Sequence, residues 1–293
     1  MSNGIFVARK RGRRVMWPLG LAVAACSALA AGPSAEQAGA KSRVRLNQII
    51  EQFEQGKPAF TFEHWQFIEM EHGPYQIDQA IKALADLRPE GAARPRLTPV
   101  IRIPQEGDEV FKSTIKQLLD QGVMGIVVPH VETAGQAANI VAAMRYPPQR
   151  GAKYPSPAGI RGWGPSAAAR YWGLTNAEYA QRADVWPLNP DGELLAIAII
   201  ESREGVKNVE EILRVPGLGG VLIGPADLSL SLGVGTPAAN PNAPEVEAAT
   251  DTVAKACARQ KLVACGTFES PEPPKRIAQG FRLFTRSPAG KYR

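Results

Sequence analysis

Eight short runs of apolar, β-rich residues alternate with stretches of helical spacing, and this alternation constrains the fold more than any other feature of the chain. The runs cover residues 59–62, 65–70, 97–103, 125–128, 194–200, 219–223, 262–265 and 281–285. Eight strands with intervening helices predict an α/β fold, the TIM (β/α)8 barrel. A doubly wound open sheet is the alternative, but the sequence has no GxGxxG or GxxxxGK[ST] loop to hold a nucleotide.

The basic character of the chain is concentrated at its N-terminus. Five basic residues at positions 9–14 supply five of the six units of formal net charge, and no acidic residue lies among the first 25. The remainder of the chain is close to neutral. The charge distribution therefore disfavours a nucleic-acid-binding domain, and we expect no nucleic-acid partner.

An apolar run at positions 15–26 follows these basic residues. A helix needs about 20 apolar residues to cross a bilayer, so this run is too short. We expect residues 1–30 to be a secretory signal peptide, residues 31–43 a linker and residues 44–293 the barrel. Residues 23–26 (VAAC) also resemble a bacterial lipobox, which predicts a lipid anchor on Cys26. The expected location is the periplasm or the outer membrane, and an uncleaved membrane anchor is the alternative.

Two further cysteines, Cys257 and Cys265, lie in the predicted barrel. In an oxidising compartment they are able to pair. We expect instead two small buried residues, one on a helix and one on a strand. The sequence has no CxxC motif and no Cys/His cluster, which argues against a zinc site.

Polar residues end four of the predicted strands, where barrel enzymes carry their catalytic groups. They are His72, Arg102, Glu201 and Asp227. Two carboxylates suit a hard divalent ion such as Mg²⁺ or Mn²⁺, an arginine neutralises an enolate oxygen, and a histidine moves protons. Together they indicate carbon–carbon bond chemistry on a 2-oxo acid, with a metal as Lewis acid. A glycosidase pair of Glu201 and Asp227 is the weaker alternative, because it leaves Arg102 unexplained.

Other noticeable residues are given structural interpretations. His64 and His130 are interpreted as rim or loop histidines. The connection from residue 146 to residue 193 exceeds ordinary loop lengths, which indicates a lid over the active face or an interface arm. Its Trp163, Trp172 and Trp186 are expected to pack against the protein.

Seven segments, in order along the chain, resemble the HpcH/HpaI aldolase family. They are FIEMEHGP (67–74), VIRIP (100–104), VVPHVETA (127–134), RYPP (145–148), GIRG (159–162), IESREG (200–205) and IGPADLS (223–229). The resemblance covers residues 44–286 and implies a metal-dependent (class II) pyruvate aldolase on a modified TIM barrel, commonly a hexamer. It implies these site residues: Glu201 and Asp227 as metal ligands, Arg102 as the substrate and transition-state contact, His72 as the base, and the backbone of Ala226 as a contact to the substrate carboxylate.

The resemblance also implies a role for Asp120, which matches an acid that raises the basicity of the family's histidine. A barrel helix ends at the face opposite the active site, so Asp120 is expected to lie far from His72 of its own chain. We expect it to reach the histidine of a neighbouring subunit. Within the chain, Glu69 is the closer candidate for this role.

The chain departs from the family pattern at three places. Ile199 stands where the family often has a glutamine that contacts substrate. Only residues 63 and 64 separate the first two strands, so either a crossover helix is lost or residues 59–70 form one interrupted strand. The chain ends eight residues after Thr285, where the family continues into a final helix. We expect a barrel abbreviated at the seam between strand eight and strand one, covered by a partner subunit or by a helix at 44–55.

These features predict a lyase that cleaves or forms the carbon–carbon bond of a 4-hydroxy-2-oxo acid, giving pyruvate and an aldehyde. The implied cofactor is Mg²⁺, Mn²⁺ or Co²⁺, the implied ligand is a small 2-oxo acid, and a homo-oligomer is expected. An exported, non-catalytic 2-oxo acid binding protein on the same barrel is the alternative.

Overall fold

The computed structural model describes residues 44–237, 240, 243–261, 263–268 and 273–286. The expected signal peptide, lipobox and linker lie outside these residues, as do the last seven residues of the chain. Among the helices of the described part, none has the length and apolar character needed to cross a membrane.

The described residues form eight parallel strands in one sheet, with helices between most of them. The strands are β1 (Ala59–Phe60), β2 (Trp65–Glu69), β3 (Thr98–Arg102), β4 (Gly125–Val128), β5 (Leu195–Ile200), β6 (Leu218–Ile223), β7 (Ala264–Thr267) and β8 (Leu283–Phe284). The helices are α1 (Gln48–Glu54), α2 (Ile77–Leu87), α3 (Lys112–Gln121), α4 (Ala134–Met144), α5 (Ser166–Trp172), α6 (Asn176–Arg182), α7 (Arg203–Lys207), α8 (Val209–Leu213), α9 (Pro225–Leu232), α10 (Pro244–Arg259) and α11 (Pro273–Ala278). The order β1-β8-β7-β6-β5-β4-β3-β2 makes a nearly closed barrel, which confirms the predicted TIM barrel.

Alternate side chains of each strand point into or out of the barrel. Val100, Val127 and Ile197 belong to one buried cluster that fills the interior. Their neighbours Ile101 and Ile126 belong to a second cluster that packs against the surrounding helices. A polar residue that continues the inward series beyond the end of its strand therefore faces the mouth of the barrel.

The barrel is open between β1 and β2. The two residues of β1 pair with β8, and β2 pairs along its whole length with β3. Between β1 and β2 there is only an isolated bridge from Thr61 to Trp65. No helix links these strands, because Phe62 adopts a left-handed conformation (φ 63°) in a tight turn. The shortening was expected where strand eight meets strand one, but β1 pairs with β8 and the opening lies between β1 and β2, where the crossover helix is missing.

Helix α1 lies across the N-terminal ends of the central strands and covers the interior there. Asn47 begins the helix by accepting hydrogen bonds from the N–H groups of Ile49 and Ile50. The same side chain donates to the carbonyl of Glu193, 3.0 Å away, just before β5. Ile49 and Ile50 are fully buried in the interior cluster. The helix expected within residues 44–55 is therefore present at Gln48–Glu54, but it covers the N-terminal ends of the central strands rather than the seam for which it was predicted.

The long connection before β5 contains α5 and α6 and packs at the opposite end of the barrel from the strand ends that carry the polar residues. Trp172 is buried and donates a hydrogen bond to the carbonyl of Gly122, and Trp186 is buried as well. Packing was the correct expectation for these two residues. It was wrong for Trp163, whose exposed fraction is 65%.

A disulfide joins Cys257 on α10 to Cys265 on β7, with the two Cα atoms 6.2 Å apart. The helix and strand positions agree with the sequence analysis, and both residues are buried. The expectation that they stay unpaired was wrong, because the packing of α10 on β7 brings the two side chains together. The bond closes a short loop across the C-terminal part of the barrel.

Breaking this disulfide is expected to cost about 2–3 kcal/mol of unfolding free energy, because a short closed loop restricts the unfolded chain. Chemical denaturation with and without reductant measures the effect. The double variant Cys257→Ala/Cys265→Ala is the control and must be insensitive to reductant. Peptide mapping that finds two free thiols in the unreduced protein would contradict the pairing.

Candidate active site

The inward series of β2 and β3 places an arginine between two glutamates at the mouth of the barrel. Phe67 faces the interior, Glu69 ends the strand in the same series, and Glu71 continues the series beyond the strand. The Arg102 Nε donates to both carboxylate oxygens of Glu69, at 2.9 and 3.1 Å. Arg102 Nη1 lies 2.7 Å from Glu71 Oε2. The guanidinium is thus held by two acids from the neighbouring strand.

Two aromatic rings bound the same guanidinium. Its central carbon lies 5.8 Å from the ring centre of Phe67 and 5.1 Å from that of Phe268. The two rings meet edge to face at 5.6 Å. Ile199 is also buried in this interior cluster, where the family often has a glutamine. The guanidinium of Arg102 therefore lies against an apolar surface. Because such a surface has a low dielectric constant, it strengthens the attraction between Arg102 and any anion that binds there.

Glu69 also shapes the loop that carries the predicted base. Its Oε1 accepts hydrogen bonds from the backbone N–H groups of Glu71 (2.7 Å) and His72 (3.3 Å). The His72 side chain is 65% exposed, and its Nε2 lies 3.9 Å from Glu71 Oε2. The structure therefore brings His72 and Arg102 to the same oxygen of Glu71, with His72 at the solvent rim.

A second group of ligand atoms surrounds Glu201, the residue that follows β5. The side chain of Glu201 is buried, and its Oε1 accepts a 2.7 Å hydrogen bond from the His130 N–H. His130 has a left-handed backbone (φ 49°), uncommon for a non-glycine residue. Its Nε2 lies 3.9 Å from the same oxygen. Ligand atoms of Glu71, His130 and Glu201 all lie within 4.8 Å of one another.

The charges in this group favour a cation. The pKa of Glu201 is raised to about 7, first by burial and then by the negative charges of Glu71 and Asp227, while the hydrogen bond from His130 acts in the opposite direction. Burial also raises the pKa of Glu71, against the effect of Arg102. The buried Glu71 Oε2 makes no hydrogen bond in good geometry despite its closeness to Arg102. Buried carboxylates that lie this close together fit a divalent ion, so these residues form a candidate metal site.

The remaining predicted ligands lie on the first turn of α9. Asp227 is half-buried, and its charge raises the pKa of Glu201, so the two carboxylates lie within electrostatic reach. Ala226 is exposed, and its N–H precedes the first helical hydrogen bond, from Leu228 to Gly224. Such an N–H remains available to an anionic ligand.

Gly224 provides the space in which Glu201 lies. A Cβ added to Gly224 would come within 2.3 Å of Glu201 Oε2. Gly224→Ala is therefore expected to displace the carboxylate and weaken Mn²⁺ binding by about 10–100-fold, the scale typical of disturbed ligand support. Calorimetric titration measures this affinity. Gly135→Ala is the control, because its Cβ would meet nothing nearer than Thr133 Oγ1 at 3.8 Å. Equal affinity in both variants would contradict this geometry.

Asp120 does not join the site within one chain. It lies in the last turn of α3, and its Oδ1 accepts a 2.7 Å hydrogen bond from Arg161 Nη2. Helix α3 begins after the C-terminal end of β3 and ends before the N-terminal end of β4, so Asp120 lies on the far face. Its expected role toward the histidine of a neighbouring subunit stays a prediction.

Sequence reasoning missed three groups that the structure places in the site. His130 was interpreted as a rim or loop residue, and Glu71 and Phe268 were given no role. The signal for Glu71 was available, since it continues the inward series of β2, whereas His130 follows the outward residues Ile126 and Val128 of β4 and is not found by this rule. The third group, Phe268, joins the site only through the register of β7. His64 behaves as expected for a structural residue, with its Nδ1 accepting a hydrogen bond from the N–H of Phe60.

The fold and site together define a TIM-barrel protein with an acidic centre, a candidate metal site, at the C-terminal ends of its strands. A family model described as HpcH/HpaI aldolase/citrate lyase matches residues 60–282. The chain belongs to this family, which confirms the resemblance seen in the sequence.

Individual relatives support the same assignment. The chain is 38% identical over 188 residues to a 4-hydroxy-2-oxo-heptane-1,7-dioate aldolase of Escherichia coli, covering 64% of this chain and 61% of that protein. It is 37% identical over 188 residues to a hydroxypyruvate/pyruvate aldolase of Pseudomonas aeruginosa, covering 64% and 59%. The chain thus spans about three fifths of the length of these relatives. A crystal structure of a family protein from Burkholderia cenocepacia J2315 matches 82% of this chain and 91% of its own, with TM-score 0.64 and 28% identity.

Proposed function

We propose that the protein is a metal-dependent lyase that cleaves 4-hydroxy-2-oxo acids to pyruvate and an aldehyde, or forms them in the reverse direction. The observation that carries this proposal is the convergence of Arg102, His72 and the Glu71–His130–Glu201 group at one mouth of the barrel. The names of the two curated relatives, both aldolases, support it.

A divalent ion would be held by Glu201, with Asp227, Glu71 and His130 as the further ligands available. When bound, it supplies Lewis-acid stabilisation of the negative charge that develops on the 2-oxo group. The residues fit such an ion, because buried carboxylates with raised pKa values gain from a compensating positive charge.

The chain's own residues have separate tasks in the cleavage. His72 takes the proton of the 4-hydroxyl group as the C3–C4 bond breaks, and its exposed ring can exchange that proton with solvent. The electron pair moves toward the 2-oxo oxygen, where Arg102 neutralises it. The N–H of Ala226 contacts the substrate carboxylate. His72 then returns a proton to C3, which gives pyruvate.

The imidazole of His130 is expected to set the preference among metals. Nitrogen ligands favour first-row transition ions over Mg²⁺, which prefers oxygen. His130→Asn suits the left-handed backbone and removes the imidazole. We expect Mn²⁺ and Co²⁺ affinity to fall at least about tenfold, or ~1.4 kcal/mol, with a smaller change for Mg²⁺. Calorimetry and the visible absorption of bound Co²⁺ measure this, with His64→Asn as the control. An unchanged Co²⁺ spectrum in His130→Asn would contradict ligation.

A 2-oxo acid binding protein without turnover is the second candidate. Two observations favour it: Arg102 is already engaged by Glu69 and Glu71, and Ile199 cannot hydrogen-bond a substrate.

The decisive assay mixes purified protein and Mg²⁺, Mn²⁺ or Co²⁺ with a panel of 4-hydroxy-2-oxo acids, including bulky apolar ones, and follows pyruvate release. Pyruvate binding without cleavage or proton exchange would favour the binder. No binding of any 2-oxo acid would refute both candidates.

We also propose that the protein is exported and anchored through a lipid on Cys26, and that it acts as a homo-oligomer. The disulfide between Cys257 and Cys265 supports export, since such bonds persist in oxidising compartments. Cell fractionation tests this location. The processed form of the protein is expected in the membrane fraction, and Cys26→Ser is expected to move it to the soluble fraction. Unprocessed protein in the cytosol would refute export. Light scattering gives the oligomeric state.

A further inference from the structure

The loop after β4 continues beside the segment after β5, beyond the ends of both strands. In the sheet, Val128 of β4 lies opposite Ala198 of β5, an offset of 70 positions. Glu132 and Ser202 have the same offset, and the Ser202 hydroxyl donates a 2.6 Å hydrogen bond to Glu132 Oε1. The two segments are therefore joined again, by side chains, at a position that continues the register of the sheet.

Between these two points of attachment, the loop departs from strand geometry. Pro129 has no N–H group to donate to a ladder, and His130 has a left-handed backbone (φ 49°). In this conformation the His130 N–H donates to Glu201 Oε1 instead of to a backbone carbonyl. A left-handed backbone at a residue other than glycine costs free energy and persists only where the surrounding contacts hold it. The contacts on both sides of His130 therefore determine where its imidazole lies.

Glu132 is the centre of the attachment beyond His130. Its Oε1 accepts from Ser202, and its backbone carbonyl accepts a 2.9 Å hydrogen bond from Asn208 Nδ2. The Ser202 oxygen also accepts from the Gly205 N–H at 3.0 Å, which ties it to the start of α7. Within the described part of the chain, the half-buried Glu132 carboxylate forms no ion pair. A single hydrogen bond with a charged acceptor, a strong kind, therefore holds this side chain.

We propose that Glu132 is a positioning residue for the candidate metal site and that it acts through Ser202. Its hydrogen bond holds the loop at the distance from β5 at which His130 and Glu201 bind one divalent ion together. His130 Nε2 and Glu201 Oε1 lie 3.9 Å apart. Metal–ligand bonds of about 2.0–2.2 Å span at most about 4.4 Å between two ligand atoms, so a small outward movement of the loop excludes the imidazole. This inference rests on the metal site of the proposed function.

The expected consequence is a preference among divalent ions. A loop held in place adds an imidazole nitrogen to the site, which favours Mn²⁺ and Co²⁺ over Mg²⁺. A released loop leaves oxygen ligands, which suit Mg²⁺, from Glu71, Glu201 and Asp227. Outer partners of metal ligands typically contribute about 10–100-fold to affinity. Glu132 therefore influences which ion is bound without contacting it.

The test removes the acceptor and leaves Ser202 its hydrogen bond from Gly205. Calorimetry on the metal-free full chain is expected to show that Glu132→Ala lowers Mn²⁺ and Co²⁺ affinity about tenfold. Mg²⁺ affinity should change by less than about threefold. The visible absorption of bound Co²⁺ should shift toward that of His130→Asn. Glu132→Gln is the matched control, because its amide oxygen still accepts from Ser202, and we expect affinities within about twofold of wild type.

A double-mutant cycle separates positioning from a general structural role. His130→Asn has no imidazole to position, so adding Glu132→Ala is expected to lower Co²⁺ affinity further by less than about twofold. A purely structural role would lower the affinity equally in both backgrounds, and that result would overturn the proposal. Urea denaturation in chelator verifies that all variants are folded.

Three other results would also overturn it. One is wild-type Co²⁺ affinity in Glu132→Ala, and another is an equal loss in Glu132→Gln and Glu132→Ala, because the charge would then act and not the hydrogen bond. The third is tight Co²⁺ binding that His130→Asn leaves unchanged, which would leave the aldolase proposal intact. Failure of the wild type to bind any divalent ion would instead refute the metal site itself, and this inference with it.

Discussion

Glu201→Gln is expected to abolish tight Mn²⁺ binding and, at the same time, to stabilise the metal-free protein at pH 8. The first effect follows because a buried carboxylate ligand becomes a neutral amide, and we expect an affinity loss above the 10–100-fold typical of outer-shell changes. The second effect follows from the pKa of Glu201, which burial raises to about 7. Glutamine keeps the acceptor for the His130 N–H and carries no charge.

The sign of the stability change depends on pH. Between pH 4.5, the ordinary pKa of a glutamate, and pH 7, the folded state holds a proton that the unfolded chain has released. The free energy of unfolding therefore falls as the pH rises through this window, and the loss is complete above pH 7. The full penalty is about 3 kcal/mol at most. Glu201→Gln removes it at pH 8 and has little effect at pH 4.5.

Urea denaturation in chelator at pH 4.5 and pH 8 measures this difference, and calorimetry measures Mn²⁺ affinity. Glu106→Gln is the control, because Glu106 is an exposed acid at the rim, with its Oε1 3.9 Å from His130 Nε2. We expect no comparable effect on stability from this change. Wild-type Mn²⁺ affinity in Glu201→Gln would contradict the metal site, and an equal or lower stability at pH 8 would contradict the burial of charge.

His72→Ala is expected to lower the rate of carbon–carbon cleavage by about 10²–10⁴-fold, the usual contribution of a positioned acid–base group. The exposed side chain of His72 contributes little packing, so the fold and the metal site should persist. Pyruvate should still bind, because Arg102 and the carboxylates are unchanged. Exchange of pyruvate methyl protons with solvent should fall with the cleavage rate.

Steady-state pyruvate release and proton exchange by NMR measure these rates. His64→Ala is the matched control, since His64 accepts a hydrogen bond from Phe60 in the turn between β1 and β2 and has no place in the site. A cleavage rate in His72→Ala within about threefold of wild type would assign the base to another group. The other histidine, His130, would then be the next residue to test.

Much of the site follows from strand alternation. A strand has a side-chain period of two, so a sequence that alternates correctly in the core also specifies which residues beyond its end face the mouth. This reasoning found Arg102 and Glu201. Glu71 follows from the same rule, although only its neighbour His72 was predicted as a site residue. The rule does not identify Phe268. Strand β7 has only four residues, and its pairing with β6 and β8 decides which of its side chains point into the barrel.

The disulfide is a second feature that local sequence patterns do not predict. Helix and strand were predicted for Cys257 and Cys265, yet their pairing depends on how α10 is rotated on β7, which hydrophobic period alone does not define. The opening between β1 and β2 is similar. The missing crossover was evident from the two intervening residues, but the pairing of β1 with β8 rather than with β2 is defined only by the tertiary structure.

The sequence by itself determined the barrel, its eight strands and the strand ends that carry charge, because apolar periodicity and chain order are local properties. Only the tertiary structure decided that His130, Glu71 and Glu201 share one centre, that two phenyl rings flank Arg102, and that Asp120 pairs with Arg161 on the far face. Those contacts join residues as far as 166 positions apart, and their existence depends on register and helix rotation. Such quantities are set by how the whole core packs, and no single segment contains them.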